Sequence, residues 1–329
     1  MIGLSFGIAI AIAAVVALSA GVGKPAGIGS NISNQTQNAA KGSRLTIVAS
    51  FFPMYEFTSA VAGDRANVSS FIPIGDEPHG WEPTPQEIQK VQDSQLFVYN
   101  GYGMEAFIPN FLANGSDTFQ HTTFVKASEG IPTIAADTSS LPEDEAKPMI
   151  AQGGQDPHIW NDPVLAQKEV RNIANAMEKA DPANAQYYEA NAQSYISKLA
   201  KLDSDVKSQL SNCQTHTFVS FHNAFSYFDR QYNLTDYWLS GLAPDSELSP
   251  QDLARVESAI KQNNVSVVFS EDLVDPKLAE SLASDVGAQT KVLSPLEGIK
   301  PEEQQKGVTF LDKWYENLDN LKNALRCQS

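Results

Sequence analysis

The chain has 329 residues, of which 42% are hydrophobic and 9% aromatic, a composition that excludes an intrinsically disordered protein. Its formal net charge is −16 at pH 7, without any block of Lys or Arg. Such a charge repels nucleic acid and anionic lipid headgroups and attracts cations, so we expect no nucleic-acid partner. The length allows two domains of ordinary size.

The N-terminal segment differs from the rest of the chain. Residues 1–23 are mostly apolar and carry no charged side chain. Their number is close to the roughly 20 residues that cross a bilayer core, and the small residues Ala17, Ser19 and Ala20 are typical of a cleavage site. We expect a signal peptide or a membrane anchor there, with a buried core helix as the alternative. Residues 24–43 are typical of a flexible tether.

Beyond the tether, short β-branched segments alternate with helical patterns, which is typical of parallel α/β units. The predicted strands cover residues 45–50, 68–73, 95–99, 217–221, 265–270 and 291–293. Helices are predicted over residues 54–62 and 308–325, and after Thr84, where Pro85 and Glu87 complete a capping box.

A long helical stretch spans residues 163–210, with a break near Asp181 and Pro182. In its second part, apolar and aromatic side chains recur at helical period, and at about 1.5 Å per residue that helix would traverse a whole protein. Residues 84–91 (TPQEIQKV) and 249–256 (SPQDLARV) are also similar. This similarity indicates either a sequence pattern that α/β units share in general or two lobes of similar build around one long helix.

Cys213 and Cys327 are the only cysteines. Outside the cytoplasm, two cysteines predict a disulfide, here between the C-terminal tail and the start of a strand. Two buried free thiols are the alternative. Because neither cysteine lies near the N-terminus, we expect no lipid attachment there. Six Asn-x-Ser/Thr sequons permit glycosylation after export.

The five histidines are the candidate metal ligands: His79, His121, His158, His216 and His222. Two of them, His79 and His222, follow predicted strands, one in each half, where open α/β sheets bind ligands. Three imidazoles suit zinc. Taken singly, a histidine is more often a surface or core residue, and the sequence has no His-Glu-x-x-His or Cys-x-x-Cys cluster. Spacing alone therefore gives the metal site weak support.

Four segments resemble the signature segments of the zinc/manganese solute-binding proteins of ABC importers. They are residues 76–85 (DEPHGWEPTP), 99–105 (YNGYGME), 156–163 (DPHIWNDP) and 220–228 (SFHNAFSYF). The resemblance runs from about Leu45 to the C-terminus. It implies an α/β fold of two lobes, each a small parallel sheet wrapped by helices, joined by one long rigid helix, with the metal between the lobes. The corresponding ranges are an N-terminal lobe at 44–183, the linker helix at 184–212 and a C-terminal lobe at 213–329.

Carried over residue by residue, the resemblance places His79, His158 and His222 at the metal-binding positions. A histidine at the third position resembles the zinc-type members, whereas manganese-type members have Glu there. The resemblance therefore implies Zn²⁺ as the ligand in preference to Mn²⁺. His121 and His216 match no ligand position, and we interpret them as structural or surface residues.

The fourth ligand is where this sequence departs from the family's pattern. Many members carry Asp or Glu where this chain has Ser294, and a neutral hydroxyl is a poor zinc ligand. Our first candidate is water and our second is Glu77, followed by Asp76 and Glu297. Glu271, at the end of a predicted strand, is a further candidate, either as a ligand or as a partner of a ligand.

Other acidic residues are candidate partners of the imidazoles, because a metal-bound imidazole usually donates its other N–H to a carboxylate or carbonyl. Asp156 and Asp162 flank His158, and Glu82 follows His79; turn or helix-cap roles fit the two aspartates equally well. The predicted exposed loop at residues 127–155 is acidic but has no histidine, unlike the loop of many zinc-type members. We therefore do not expect this loop to scavenge metal.

The resemblance implies the extracytoplasmic binding component of a metal-ion ABC importer, which captures Zn²⁺ and delivers it to a membrane permease. The chain has no phosphate-binding Gly-x-x-x-x-Gly-Lys segment, so ATP hydrolysis belongs to another subunit. We expect a monomer that is not an enzyme. Two alternatives stay open: a zinc-dependent hydrolase with an open coordination position and Glu77 or Glu271 as base, and a zinc-stabilised cell-surface adhesion module.

Overall fold

Two parallel sheets of four strands each organise the chain in the computed structural model, which describes residues 44–113, 118–136, 147, 149–150, 153–246 and 250–328. The first sheet contains β1 (Leu45–Ala49), β2 (Ala66–Ser70), β3 (Leu96–Tyr99) and β4 (Thr123–Lys126), in the order β2-β1-β3-β4. The second contains β5 (Thr217–His222), β6 (Thr235–Ser240), β7 (Val267–Ser270) and β8 (Gln289–Val292), in the order β6-β5-β7-β8. Both sheets therefore have the same strand order. In each, the second strand in sequence lies on one side of the first, and the third and fourth strands are added on its other side.

Helices cover both sheets. They are α1 (Phe52–Ala62), α2 (Pro85–Gln92), α3 (Ile108–Ala113), α4 (Pro163–Ala180), α5 (Ala185–Gln209), α6 (Ser226–Tyr232), α7 (Pro250–Asn263), α8 (Lys277–Val286), α9 (Pro301–Gln305) and α10 (Phe310–Leu325). The predicted capping box is present, because the Thr84 hydroxyl accepts from the Glu87 N–H while Glu87 accepts from the Thr84 N–H. These observations confirm the predicted fold class.

Two strands were not predicted from the sequence. β4 lies at a sheet edge, and only Val125 of its four residues is buried, so it lacks an apolar signal. β6 contains Asp236, whose carboxylate is buried against the Ser220 N–H and hydroxyl at 3.0 and 2.5 Å. In both strands, pairing with a neighbour overrides the local composition.

The long helix α5 packs against helices of both halves, α1, α4 and α10. The predicted break is present, since α4 ends at Ala180 and Pro182–Asn184 form a 3₁₀ turn. The buried residues of α5 recur every three or four positions: Tyr188, Ala192, Tyr195, Leu199, Leu202 and Val206. Phe57 of α1 and Phe310 of α10 also pack with ring centroids 4.9 Å apart, so one continuous core joins the two sheets.

The proposed signal or anchor at residues 1–23 and the tether at 24–43 lie outside the described residues, as do Glu143, Asp144 and Glu145 of the acidic loop. In the ranges that are described, no helix combines the length and the apolar character needed to cross a membrane. The lobe and linker boundaries stay predictions, although α5 falls within the range predicted for the linker.

A disulfide joins Cys213 and Cys327, as the sequence predicted. The two residues also form a short antiparallel backbone pair that attaches the tail after α10 to the segment before β5. The bond spans 114 residues of sequence, and closing a loop of that length restricts the unfolded chain strongly.

Replacing both cysteines by Ser should lower the free energy of unfolding by up to about 4–5 kcal/mol, because the unfolded chain regains the entropy of the open loop. Denaturant titration of both proteins measures this difference. Mass spectrometry of the unreduced wild type should show one cross-linked peptide pair, and two alkylatable thiols would contradict the prediction.

Candidate metal centre

The three predicted histidines converge with Glu297 from segments that follow strands of both sheets. His222 is the last residue of β5, and His79 lies in the loop between β2 and α2. His158 precedes the 3₁₀ turn Ile159–Asn161, and Glu297 lies between β8 and α9. One ligand atom from each of the four residues lies within 4.8 Å of the others. Two donors, His79 and His158, thus come from the half of the chain that contains the first sheet. The other two, His222 and Glu297, come from the half that contains the second sheet.

The spacing of the four donor atoms matches a tetrahedral zinc site. Glu297 Oε1 lies 3.2 Å from His79 Nε2, 3.2 Å from His158 Nε2 and 3.3 Å from His222 Nε2. The Nε2 atoms of His158 and His222 are 3.4 Å apart. Since a tetrahedron's edge is about 1.6 times its centre-to-corner distance, zinc–ligand bonds of about 2.0–2.1 Å require edges of about 3.3–3.4 Å. Four of the six edges therefore have the length that a Zn²⁺ centre requires, and all four donor atoms lie within 4.8 Å of one another.

Two of the imidazoles are oriented by carboxylates behind them. Asp156 Oδ1 lies 2.8 Å from His158 Nδ1 and also accepts from the His158 N–H. Glu271, which directly follows β7, does the same for His222, with Oε1 2.7 Å from Nδ1. These contacts place the proton on Nδ1 and leave the Nε2 lone pair for a metal. Glu271 is thus placed as the partner of a candidate ligand.

The other candidate partners have different roles. Asp162 caps α4, because its carboxylate accepts from the N–H groups of Val164 and Leu165. Glu82 is exposed. Asp156 therefore orients the His158 imidazole, and Asp162 caps a helix. These are the two roles that the sequence left open for both aspartates.

The remaining candidates for the fourth position lie outside the tetrahedron. Glu77 Oε1 accepts from the His79 N–H at 3.2 Å; burial and the charge of Glu297 raise the pKa of Glu77 to about 7. Asp76 is exposed. The Ser294 hydroxyl accepts from the Leu296 N–H at 3.3 Å, within its own turn. Glu297, ranked behind water and Glu77 from the sequence, is the carboxylate that the structure brings to the imidazoles.

The segment that carries Glu297 is fixed from two sides. Asn317 of α10 accepts from the Ser294 N–H at 2.8 Å and donates to the Ser294 carbonyl at 2.7 Å. Trp160, two residues after His158, donates its Nε1–H to the Pro295 carbonyl at 2.8 Å. This second contact ties a histidine-bearing segment of one half directly to the glutamate-bearing segment of the other.

The motif at residues 99–105 supports the site without contributing a ligand. The buried Glu105 carboxylate accepts from the Ser50 hydroxyl at 2.7 Å and from the N–H groups of Asn100 and Gly101 at 2.8 and 2.9 Å. The Asn100 side chain then donates to the Pro157 carbonyl at 2.9 Å. Through these bonds, the motif fixes the backbone next to His158.

The donors form a strongly coupled cluster of charges. Burial alone would raise the pKa of Glu297, but the imidazoles of His222 and His79 hold it well below 4.5. Burial alone would lower the pKa of His222, but Glu271 and Glu297 raise it well above 6.5. Glu297 likewise raises the pKa of His79, against the effect of burial. At these two imidazoles, zinc therefore competes with protons more strongly than at an ordinary histidine.

Replacing Glu297 by Gln should weaken zinc binding at least about tenfold, because the buried donor set loses its only anion. Ser294→Asp should leave the ratio of Mn²⁺ to Zn²⁺ affinity unchanged, because the Ser294 hydroxyl faces its own turn. Titration of both metals into wild type and the two variants tests this pair. A higher Mn²⁺ preference in Ser294→Asp would instead place residue 294 at the metal.

Comparison with known proteins agrees with this geometry. Residues 47–324 match the family ZnuA, described as "Zinc-uptake complex component A periplasmic". The high-affinity zinc uptake system protein ZnuA of Bacillus subtilis is 40% identical over 299 residues, which cover 91% of this chain and 93% of that protein.

Solved structures show the same fold. The Zn(II)-bound ZnuA-like domain of Streptococcus pneumoniae AdcA has a TM-score of 0.72 at 34% identity, covering 86% of this chain and 99% of that one. The laminin-binding protein Lmb of Streptococcus agalactiae, described as bifunctional with adhesin and metal transporting activity, has a TM-score of 0.75 at 30% identity, with the same coverage. The resemblance found in the sequence is thereby confirmed: this chain belongs to the ZnuA family of zinc-uptake complex components.

Proposed function

We propose that this protein captures Zn²⁺ outside the cytoplasm and delivers it to the membrane permease of an ABC importer. The observation that carries the proposal is the cluster of three imidazole nitrogens and one carboxylate oxygen, in which four of the six donor–donor distances are 3.2–3.4 Å. Three nitrogen donors and one oxygen suit Zn²⁺, whereas Mn²⁺ favours oxygen ligands. The names of the family and of the Bacillus subtilis relative support zinc uptake as the role of this chain.

The location and assembly of the protein are also proposals. The family description supports an extracytoplasmic location, and we propose that residues 1–23 direct export or anchor the chain there. A permease with a separate ATPase is the partner that an importer requires. We propose that the protein works as a monomer, because all four donors come from one chain.

The two alternative functions have less support. The hydrolase hypothesis was based on a missing fourth ligand, and Glu297 now supplies the fourth corner of the tetrahedron. We therefore propose a binding protein and not an enzyme. Adhesin activity is described for Lmb; for this chain we prefer metal capture, because the donor geometry has a direct chemical interpretation.

Replacing His79, His158 or His222 by Ala should each weaken zinc binding at least about tenfold, because each change removes one inner-sphere bond. His121→Ala and His216→Ala are matched controls, since both side chains are exposed and neither belongs to the donor group. Competition with a chelator of known affinity measures the losses. Equal losses at all five positions would disprove the three-histidine site.

Zinc affinity should fall as the pH is lowered, and the fall should begin above pH 6.5. A protonated imidazole cannot bind metal, and the carboxylates raise the pKa of His79 and His222 above that ordinary value. Protons therefore compete with zinc at a higher pH than for free histidine. Calorimetric titration in buffers of different ionisation enthalpy counts the protons released. An affinity that is constant down to pH 6.5, with no proton release, would contradict this prediction.

A further inference from the structure

A small acidic cavity lies beside the metal centre, and the mechanism of zinc binding described above does not use it. Its lining includes four carboxylate residues, Glu77, Glu271, Asp272 and Glu297, together with Leu273 and Gly298. None of the three candidate ligand histidines lines it. The cavity leaves about 10 Å³ for the centre of a water-sized molecule, which is room for one water or one small cation.

Two carboxylates at this cavity have an oxygen without a partner. Glu271 uses Oε1 for His222, and Glu297 uses Oε1 for the three imidazoles. Oε2 of both residues is buried and has no hydrogen-bond partner among the described residues. A buried polar atom without a partner costs about 1–3 kcal/mol, so a partner for it is expected. Both residues line the cavity, so a ligand there is the candidate partner of these oxygens.

The charges around the cavity favour a cation. Asp272 is neutralised, because Lys313 lies 3.0 Å and Lys300 lies 3.9 Å from its carboxylate oxygens. Glu77, Glu271 and Glu297 have no such lysine partner in the described part of the chain, and carboxylate oxygens are good ligands of divalent cations. A neutral water would supply hydrogen bonds but no positive charge, and the imidazoles that face Glu271 and Glu297 lose their own charge when they bind a metal.

We propose that this cavity is a transient, oxygen-lined site that the divalent metal occupies on its way to the imidazoles. The proposal rests on the proposed function of zinc capture. Glu297 connects the two sites, since its Oε1 belongs to the tetrahedron and its Oε2 is left for the cavity. Glu77 is half-buried, whereas Glu271 and Glu297 are buried, so Glu77 is the carboxylate that an arriving cation meets first.

Stopped-flow measurement of zinc association tests this route. Glu77→Gln should lower the association rate constant at least about fivefold, because a carboxylate that attracts the entering cation is lost. Glu77→Asp keeps the charge and should restore most of the rate. Glu82→Gln is the matched control: it removes the same charge from the same loop, but Glu82 is exposed and does not line the cavity.

A second variant changes the space without changing the charge. A Cβ at Gly298 would lie 2.8 Å from Leu273 Cδ1, so Gly298→Ala must displace a side chain that lines the cavity. This variant should also slow association, and it decides the question if Glu77→Gln does not fold. Thermal unfolding followed by circular dichroism checks the fold of each variant.

The outcomes separate the two proposals. If folded Glu77→Gln binds zinc at the wild-type association rate and any loss of affinity appears in the dissociation rate, Glu77 only stabilises the bound metal. The transient site would then be disproved, and a water would be the occupant of the cavity. If wild-type protein fails to bind zinc at all, it is the proposed function that fails.

Discussion

The arrangement of the site depends on one carboxylate oxygen, Glu297 Oε1, which lies within 3.3 Å of three imidazole nitrogens. His79 and His158 lie in segments that follow strands of the first sheet, and His222 ends a strand of the second sheet. No single helix or loop could therefore hold the three nitrogens together. Without a counter-charge, protonated imidazoles would repel one another in a buried space. The glutamate gives each of them a partner, and it therefore holds the nitrogens of both halves close together.

The supporting contacts explain why the site can be both buried and rigid. The carboxylates of Asp156 and Glu271 each bind both the backbone N–H and the Nδ1 atom of one histidine. The Trp160 indole then ties the His158 segment to the Glu297 segment across the two halves. Orientation by such partners typically contributes 10- to 100-fold to metal affinity. Preorganisation also limits the conformational cost that binding would otherwise incur.

Much of this organisation could be predicted from the sequence. Alternating strand and helix patterns predicted the α/β class, and the helical period predicted the long helix α5. The three histidines that the family-like segments singled out lie together in the structure, with one ligand atom of each within 4.8 Å of the others. The edge strand β4 and the Asp-containing β6 escaped prediction, because sheet pairing and not local composition determines them.

The fourth corner of the site shows where sequence reasoning stops. The resemblance put Ser294 where many members carry a carboxylate, but the chain turns at Leu296, which has a φ of +63°. This left-handed conformation is costly for a non-glycine residue, and Asn317 and Trp160 hold the segment that adopts it. The turn brings Glu297, and not residue 294, to the imidazoles. The only signal in the sequence was an acidic residue three positions further on.

The same geometry constrains how zinc leaves. His158 and His222 are fully buried, and the His79 side chain is only 6% exposed. Two donors come from the half that contains the first sheet and two from the other, so a change in the relation between the halves would break up the tetrahedron. However, the continuous core and α5 oppose a large separation of the sheets. A smaller displacement of the Ser294–Glu297 turn would remove the one anion and return the imidazoles to proton competition. Such a displacement would first have to break the hydrogen bonds that Asn317 and Trp160 make to this turn.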